Sequence, residues 1–191
     1  MTKGRLEAFS DGVIAIIITV MVLELKVPHG PTLEALRSML PAFLSYVLSF
    51  VFVGIYWSNH HHLLQAADRV DGRILWANLH LLFWLSLTPI VTNWMGDYPL
   101  APLPVAAYGT VLLLSGAAYL ILARALVACQ GTDSTLAQAL GRDRKGKASL
   151  VIYLAAIPFA FVNAWVSCAL YVTVALIWLV PDRRIERAIA Q

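Results

Sequence analysis

Polar side chains that could do chemistry are few in this chain, and most border long apolar runs. They are Ser10 and Asp11 in "FSDGV", the group Trp57, Asn59, His60, His61 and His62 in "YWSNHHHLL", and Trp76, Asn78 and His80 in "LWANLH". Imidazoles near a carboxylate suggest metal binding, proton relay or nucleophilic catalysis. Three consecutive histidines on a helix cannot hold one metal, because neighbours point about 100° apart. Helical metal sites use i, i+3 or i+4 spacing, and no Cys or carboxylate completes such a set. A Ser–His–Asp hydrolase built from Ser10, His60 and Asp11 is no better. Adjacent Ser and Asp leave a helix in different directions, and no oxyanion-hole glycine motif is visible. The chain is therefore expected to be no enzyme and to carry no metal or cofactor.

The elements that position these residues follow from composition. With 60% hydrophobic and only 13% charged residues, the chain lies far from the soluble balance, where about 25% of residues are charged. Its apolar runs are about twenty residues long, which fits transmembrane helices rather than the alternating ten-residue strands of a barrel. The expected fold is an all-α polytopic membrane protein with a single domain over 1–191. Six spans are expected at about 9–27, 41–65, 74–94, 105–127, 148–162 and 165–181, the last two divided by a turn around Asn163. No cleavable signal peptide is expected, because no A-x-A-like site follows the first run. Cys129 and Cys168 lack ligand spacing and read as small core residues.

Charge sets the orientation. Six spans place both termini on one side, with Lys3, Arg5, Arg69, Arg73, Arg124, Arg142, Arg144, Lys145, Lys147, Arg183, Arg184 and Arg187. Of the 14 Lys and Arg residues, only Lys26 and Arg37 fall on the other. That bias puts both termini in the cytoplasm. The net charge of +3 then needs no nucleic-acid partner, since the basic loops face anionic lipid.

The first span divides into faces. Ile16, Thr19, Val20 and Leu23 share one stripe at i, i+3, i+4 and i+7, while Ile14, Ile17, Ile18 and Met21 spread elsewhere. Thr19, the lone hydroxyl of the run, either back-bonds to its own helix or serves a polar function. Ser10 and Asp11 admit two readings. As residues opening a helix they suit an N-cap; as polar groups at membrane depth they suit a packed network. A cap explains one of them but not both, with Arg5 a little over one turn earlier. His60 and Asn78 lie at the same membrane level and are candidate partners.

The pattern R-x-x-x-F-S-D, formed by Arg5, Phe9, Ser10 and Asp11 at the head of an apolar first helix, resembles the signature of the lysosomal and endosomal potassium channel family, transmembrane protein 175. The resemblance extends through "IIITVMVL", through W-x-x-H-x-x-L at Trp57, His60 and Leu63, and to Asn78 and Leu79; the second half of the chain agrees only in hydropathy. It implies a six-helix unit without the TVGYG filter, and that string is absent. One unit per chain resembles the prokaryotic branch and implies a homotetramer in a bacterial inner membrane, with the pore lined by helix one. By this resemblance Ile16 is the hydrophobic constriction, Val20 and Leu23 continue the lining, and Thr19 contributes to selectivity. Arg5, Phe9, Ser10 and Asp11 would join His60 and Asn78 in a network tethering helix one to helices two and three. Glu24 and Lys26 at the outer end depart from the pattern. Either each Glu24 pairs with Lys26, or the Glu24 copies concentrate cations.

The expected function is a potassium-selective cation channel, with K⁺ as permeant ion and the bilayer and its own copies as partners. The alternative is a proton-coupled transporter relaying through Asp11 and His60. It is disfavoured by the lack of a visible broken mid-membrane helix or inverted repeat. An intramembrane enzyme or haem carrier on the His cluster is the third possibility.

Overall fold

The first helix begins earlier than the apolar run that announces it. In the computed structural model, which describes residues 2–67, 69–131 and 144–179, α1 spans Lys3–Leu23. Arg142, Arg183, Arg184 and Arg187 of the charge argument, and positions 180–181 of the last span, lie outside the described residues. Thr2 precedes α1 in extended conformation without a side-chain cap bond. Ser10 and Asp11 are therefore in the helix interior, and the N-cap reading fails. Ser10 causes no break because its hydroxyl donates to the Leu6 carbonyl one turn back, at 2.8 Å. The helix stops at Leu23 rather than near Val27. Pro28 disfavours helical geometry at the residue before it, and the chain leaves the α conformation shortly beforehand.

A short helix, α2 (Leu33–Ser38), follows, capped by Thr32 accepting from the Ala35 N–H. It leads into α3 (Leu40–Gln65), which has Pro41 in its first turn, where a missing N–H costs nothing. The next apolar run is two helices, α4 (Gly72–Ser86) and α5 (Thr88–Asp97), interrupted at Leu87. Asp71 caps α4 by accepting from the Ile74 N–H at 2.9 Å. Pro89 causes the interruption, since it can donate no hydrogen bond to the Leu85 carbonyl. Leu87 itself stays in helical conformation, so the run is kinked at one residue and remains a single 26-residue span long enough to cross a membrane. After it come α6 (Pro102–Gln130), α7 (Arg144–Phe159) and α8 (Ala164–Leu179). Asn163 joins the last two, its side-chain oxygen accepting from the Trp165 N–H at 3.0 Å.

Among the described residues, α1, α3, the α4–α5 pair and α6 are each long and apolar enough to cross a membrane, and α8 is a shorter apolar helix. At 1.5 Å per residue, a 21-residue α1 is about 30 Å long, the thickness of a hydrocarbon core. Trp57 and Trp76 are exposed toward one end of the bundle, and Tyr98 and Trp165 toward the other, as in the aromatic belts of membrane interfaces.

The bundle has two apolar cores. One joins α1, α3, α4 and α6 through residues such as Leu6, Ile14, Leu63 and Leu122. The other joins α3, α5, α6, α7 and α8 through Phe52, Met95, Tyr108 and Tyr171. Ser49, buried on α3, bonds both Thr92 (2.7 Å) and the Tyr108 hydroxyl (3.0 Å), which satisfies the polar groups beside the helix break. α1 packs mainly on α3, α4 and α5, so it sits at the bundle's edge.

Close packing gives one stability test. A Cβ at Gly109 on α6 would collide with the Tyr171 hydroxyl, which donates to the Val105 carbonyl at 3.1 Å. Gly109→Ala should lower the thermal midpoint of the detergent-solubilised protein, costing about 1–3 kcal/mol as overpacking does. An unchanged midpoint would show that α8 yields freely at that contact.

Candidate pore helix and its polar anchor

Leu6, Ser10, Ile14, Ile17 and Met21 are the buried residues of α1. Their spacing of three or four residues defines one helical face. Ser10 carries that face's polar contact. The Asn78 side-chain amide on α4 donates to Ser10 Oγ at 2.9 Å, and Asn78 Oδ1 meets His60 Nε2 on α3 at 2.7 Å. Ser10 and Asn78 are fully buried and His60 is 2% exposed. Because Oδ1 of an amide only accepts, His60 carries its proton on Nε2. The bond network links α1, α4 and α3 at one level.

The other signature residues behave differently. Asp11 lies on the exposed side of α1 and accepts from the Trp57 indole N–H at 3.0 Å. Trp57 in turn stacks on His61, with ring centroids 6.1 Å apart. No hydrogen bond runs between Asp11 and His60. Arg5 and Phe9 are exposed, and neither makes a side-chain hydrogen bond with the network. Within one chain, Ser10 is the signature residue that bonds Asn78, and Asn78 in turn bonds His60, while the Arg5 side chain makes no hydrogen bond to them. A lysine supplies the basic contact instead. Lys3 Nζ donates to the carbonyls of Gln65 (3.1 Å) and Ala67 (2.8 Å), at the negative end of α3. Its sequence position, just ahead of the apolar run, gave no sign of this role.

His80 accepts from the Trp84 indole N–H at 2.9 Å, one turn along α4. Among the described residues, no three His, Cys, Asp or Glu side chains converge in a way that could hold a metal ion.

The stripe of Ile16, Thr19, Val20 and Leu23 lies away from the core. Ile16 is 62% and Leu23 81% exposed, Val20 is 36% exposed, and Thr19 is exposed as well. The Thr19 hydroxyl donates to the Ile16 carbonyl at 2.9 Å, leaving its oxygen lone pairs open outward. Next to the stripe, Gly4 and Gly12 face open space, and Ala8 and Ala15 are exposed.

At the outer end, the first of the two readings of Glu24, a pair with Lys26, is not formed. Lys26 Nζ sits 3.0 and 3.1 Å from the two carboxylate oxygens of Asp97, at the end of α5. Glu24 instead accepts a long, 3.4 Å hydrogen bond from the Asn93 amide. The turn after Leu23 carries Lys26 toward α5, and spacing along the chain could not show that.

A bundle of apolar helices long enough to span a bilayer, with an open apolar face on its edge helix, is an α-helical membrane protein. The family model described as "Endosomal/lysosomal potassium channel TMEM175" matches residues 5–89. A potassium channel of Chryseobacterium sp. (strain P1-3) is 53% identical over the full length of both chains. The human endosomal/lysosomal proton channel TMEM175 is 35% identical over 123 residues, covering 56% of this chain and 22% of the human one. The crystal structure of a lysosomal potassium-selective channel TMEM175 homolog from Chamaesiphon minutus superposes with a TM-score of 0.79 at 29% identity, over 94% of this chain and 97% of that one. The chain belongs to the TMEM175 family, whose description is that of an ion channel and not of an enzyme.

Proposed function

We propose that this chain is the subunit of a potassium-selective cation channel in the cell membrane, a homotetramer whose copies of α1 surround the pore. The observation that carries the reading is the two-faced α1. Its buried face is fixed to α3, α4 and α5, and its other face offers Ile16, Thr19, Val20 and Leu23 at the bundle's edge. Among the described residues nothing covers that stripe, and in this reading neighbouring copies supply the other walls. The exposed small residues Gly4, Ala8, Gly12 and Ala15 suit close approach of a neighbouring helix. In this reading each copy crosses the membrane six times, with α7 and α8 as the last two crossings and both termini in the cytoplasm. Ile16 forms the constriction and Thr19 biases selection among cations. The Ser10–Asn78–His60 bonds hold the stripe in register.

The names of the relatives support K⁺ as the permeant ion, and the animal relatives named as proton channels make H⁺ the competitor to measure. A coupled transporter would need proton passage between Asp11 and His60, whose hydrogen bonds go to Trp57 and Asn78.

Purified protein in liposomes, under separate K⁺, Na⁺ and H⁺ gradients, tests the proposal. Passive K⁺ flux exceeding Na⁺ flux, from protein whose solution mass is that of a tetramer, is the expected result. Saturable flux requiring a counter-ion would establish the transporter instead, and undiminished flux from a monomer would end the shared-pore reading.

A further inference from the structure

We infer that Glu24 is a conductance-determining residue, an uncompensated carboxylate at the outer mouth that draws cations toward the pore; the inference rests on the α1-lined channel proposed above. Glu24 lies one turn beyond Val20, immediately after the exposed Leu23, and its backbone N–H still bonds the Val20 carbonyl. Lys26, two residues on, is the nearest cation in sequence, but Asp97 holds it through both carboxylate oxygens at 3.0 and 3.1 Å. The charge of Lys26 is thus spent on Asp97 and that of Glu24 is not. Asn93 orients Glu24 with a neutral amide, which fixes the carboxylate without cancelling it. Arg37, the other basic residue assigned to this side, lies in the last turn of α2, with Glu34 one turn earlier on the same helix.

Two further features add to the negative potential. The C-terminus of α1 carries the negative end of its helix dipole, equivalent to about half a charge. The acids assigned to this side (Glu24, Glu34 and Asp97) outnumber the bases (Lys26 and Arg37) by one per copy. In a tetramer these contributions repeat around one axis, where low-dielectric walls focus the field on entering ions. No ion need bind. The carboxylate raises the local cation concentration, and so the rate of entry.

Single-channel K⁺ currents in planar bilayers test this. A unit charge about 10 Å from an ion in water changes its local concentration about two-fold, so losing all four copies should lower conductance by up to about 16-fold at low salt, where screening is weakest. Glu24→Gln should show that loss for ions entering from the outer side. At about 1 M salt, where the screening length is about 3 Å, conductance should return to the wild-type value. Asp97→Asn releases Lys26 beside Glu24 and should lower low-salt conductance in the same direction; adding Lys26→Met should restore it.

If Glu24→Gln leaves low-salt conductance unchanged while Ile16→Asn alters the current, the inference falls and the α1 pore stands. If neither substitution changes the current, both fall. A loss that persists undiminished at 1 M salt would mark Glu24 as structural and would also overturn the inference.

Discussion

Ile16→Asn is expected to raise cation flux by about 10- to 100-fold, the effect of lowering a barrier by about 1.4–3 kcal/mol. Ile16 is 62% exposed on the single chain, so in the proposed tetramer its copies would converge without a covering layer. An apolar ring of that kind expels water, and an ion cannot enter without its hydration shell or a substitute. Asn has a similar reach but carries an amide that water can hydrogen-bond, so the ring should wet. The same change should weaken K⁺ preference, because hydrated ions then pass with less dehydration. Thr19→Ala, one turn on, should reduce K⁺ over Na⁺ preference with a smaller change in total current, since it removes the hydroxyl and leaves the constriction.

The control must occupy another angle of α1 without entering the core. Ile14 is unsuitable: it is 2% exposed, and an amide buried there would destabilise the bundle. Val22, 46% exposed and about 120° around the helix from Ile16, meets the requirement. Flux raised by Val22→Asn and unaltered by Ile16→Asn would mean that the pore runs along a different face.

Asn78→Leu is the second large effect, and it falls on stability. Asn78 is the middle of the network, donating to Ser10 and accepting from His60, and all three side chains are buried. Leucine fills similar space but leaves the His60 N–H unpartnered and the Ser10 oxygen without its donor. Orphaned buried groups cost about 1–3 kcal/mol each, so a loss of about 2–6 kcal/mol is expected. It should appear as a lower thermal midpoint and reduced recovery of oligomer on size exclusion. Ser10→Ala should cost less, because one bond to Asn78 is lost while His60 keeps its own. Asp11→Asn should cost less again, since an amide oxygen can still accept from the Trp57 indole. Oligomers that survive the Asn78 change should keep their ion preference. A stable Asn78→Leu oligomer with altered preference would place this residue in ion selection and not in support of α1.

What the sequence reveals of each element depends on the kind of information that fixes it. Long apolar runs identify helices in a bilayer because backbone satisfaction and thickness leave little choice, and the R-x-x-x-F-S-D pattern with its apolar run was enough to suggest the family to which the chain belongs. The start of α1 was harder to see. Lys3 to Ala8 carry charge and little hydropathy, yet the helix extends through them because Leu6 packs in the core and Lys3 reaches the end of α3. The bonding of Ser10 to both Leu6 and Asn78 turned a residue with cap chemistry into an interior one. The break at Leu87 had a visible cause in Pro89, but hydropathy alone does not distinguish a kinked span from a straight one. The Lys26 contact shows the effect of chain distance most plainly: Asp97 lies 71 positions away, and no local pattern reports such a neighbour.

The anchoring of α1 also bears on how a closed ring could open. Lys3 ties its first turn to the end of α3, Ser10 ties its third turn to α4, and Glu24 meets α5 just past its last turn. A helix fastened at both ends and along its inner side cannot slide like a piston or spin on its own axis without severing those bonds. The motion that leaves them intact is a tilt or swing of the whole bundle, with Ile16 carried along as one stave of a barrel. In the proposed tetramer, dilation would then work as an iris does, by small concerted rotations of whole blades. Its energetic cost would fall at the seams between copies and not inside any one of them.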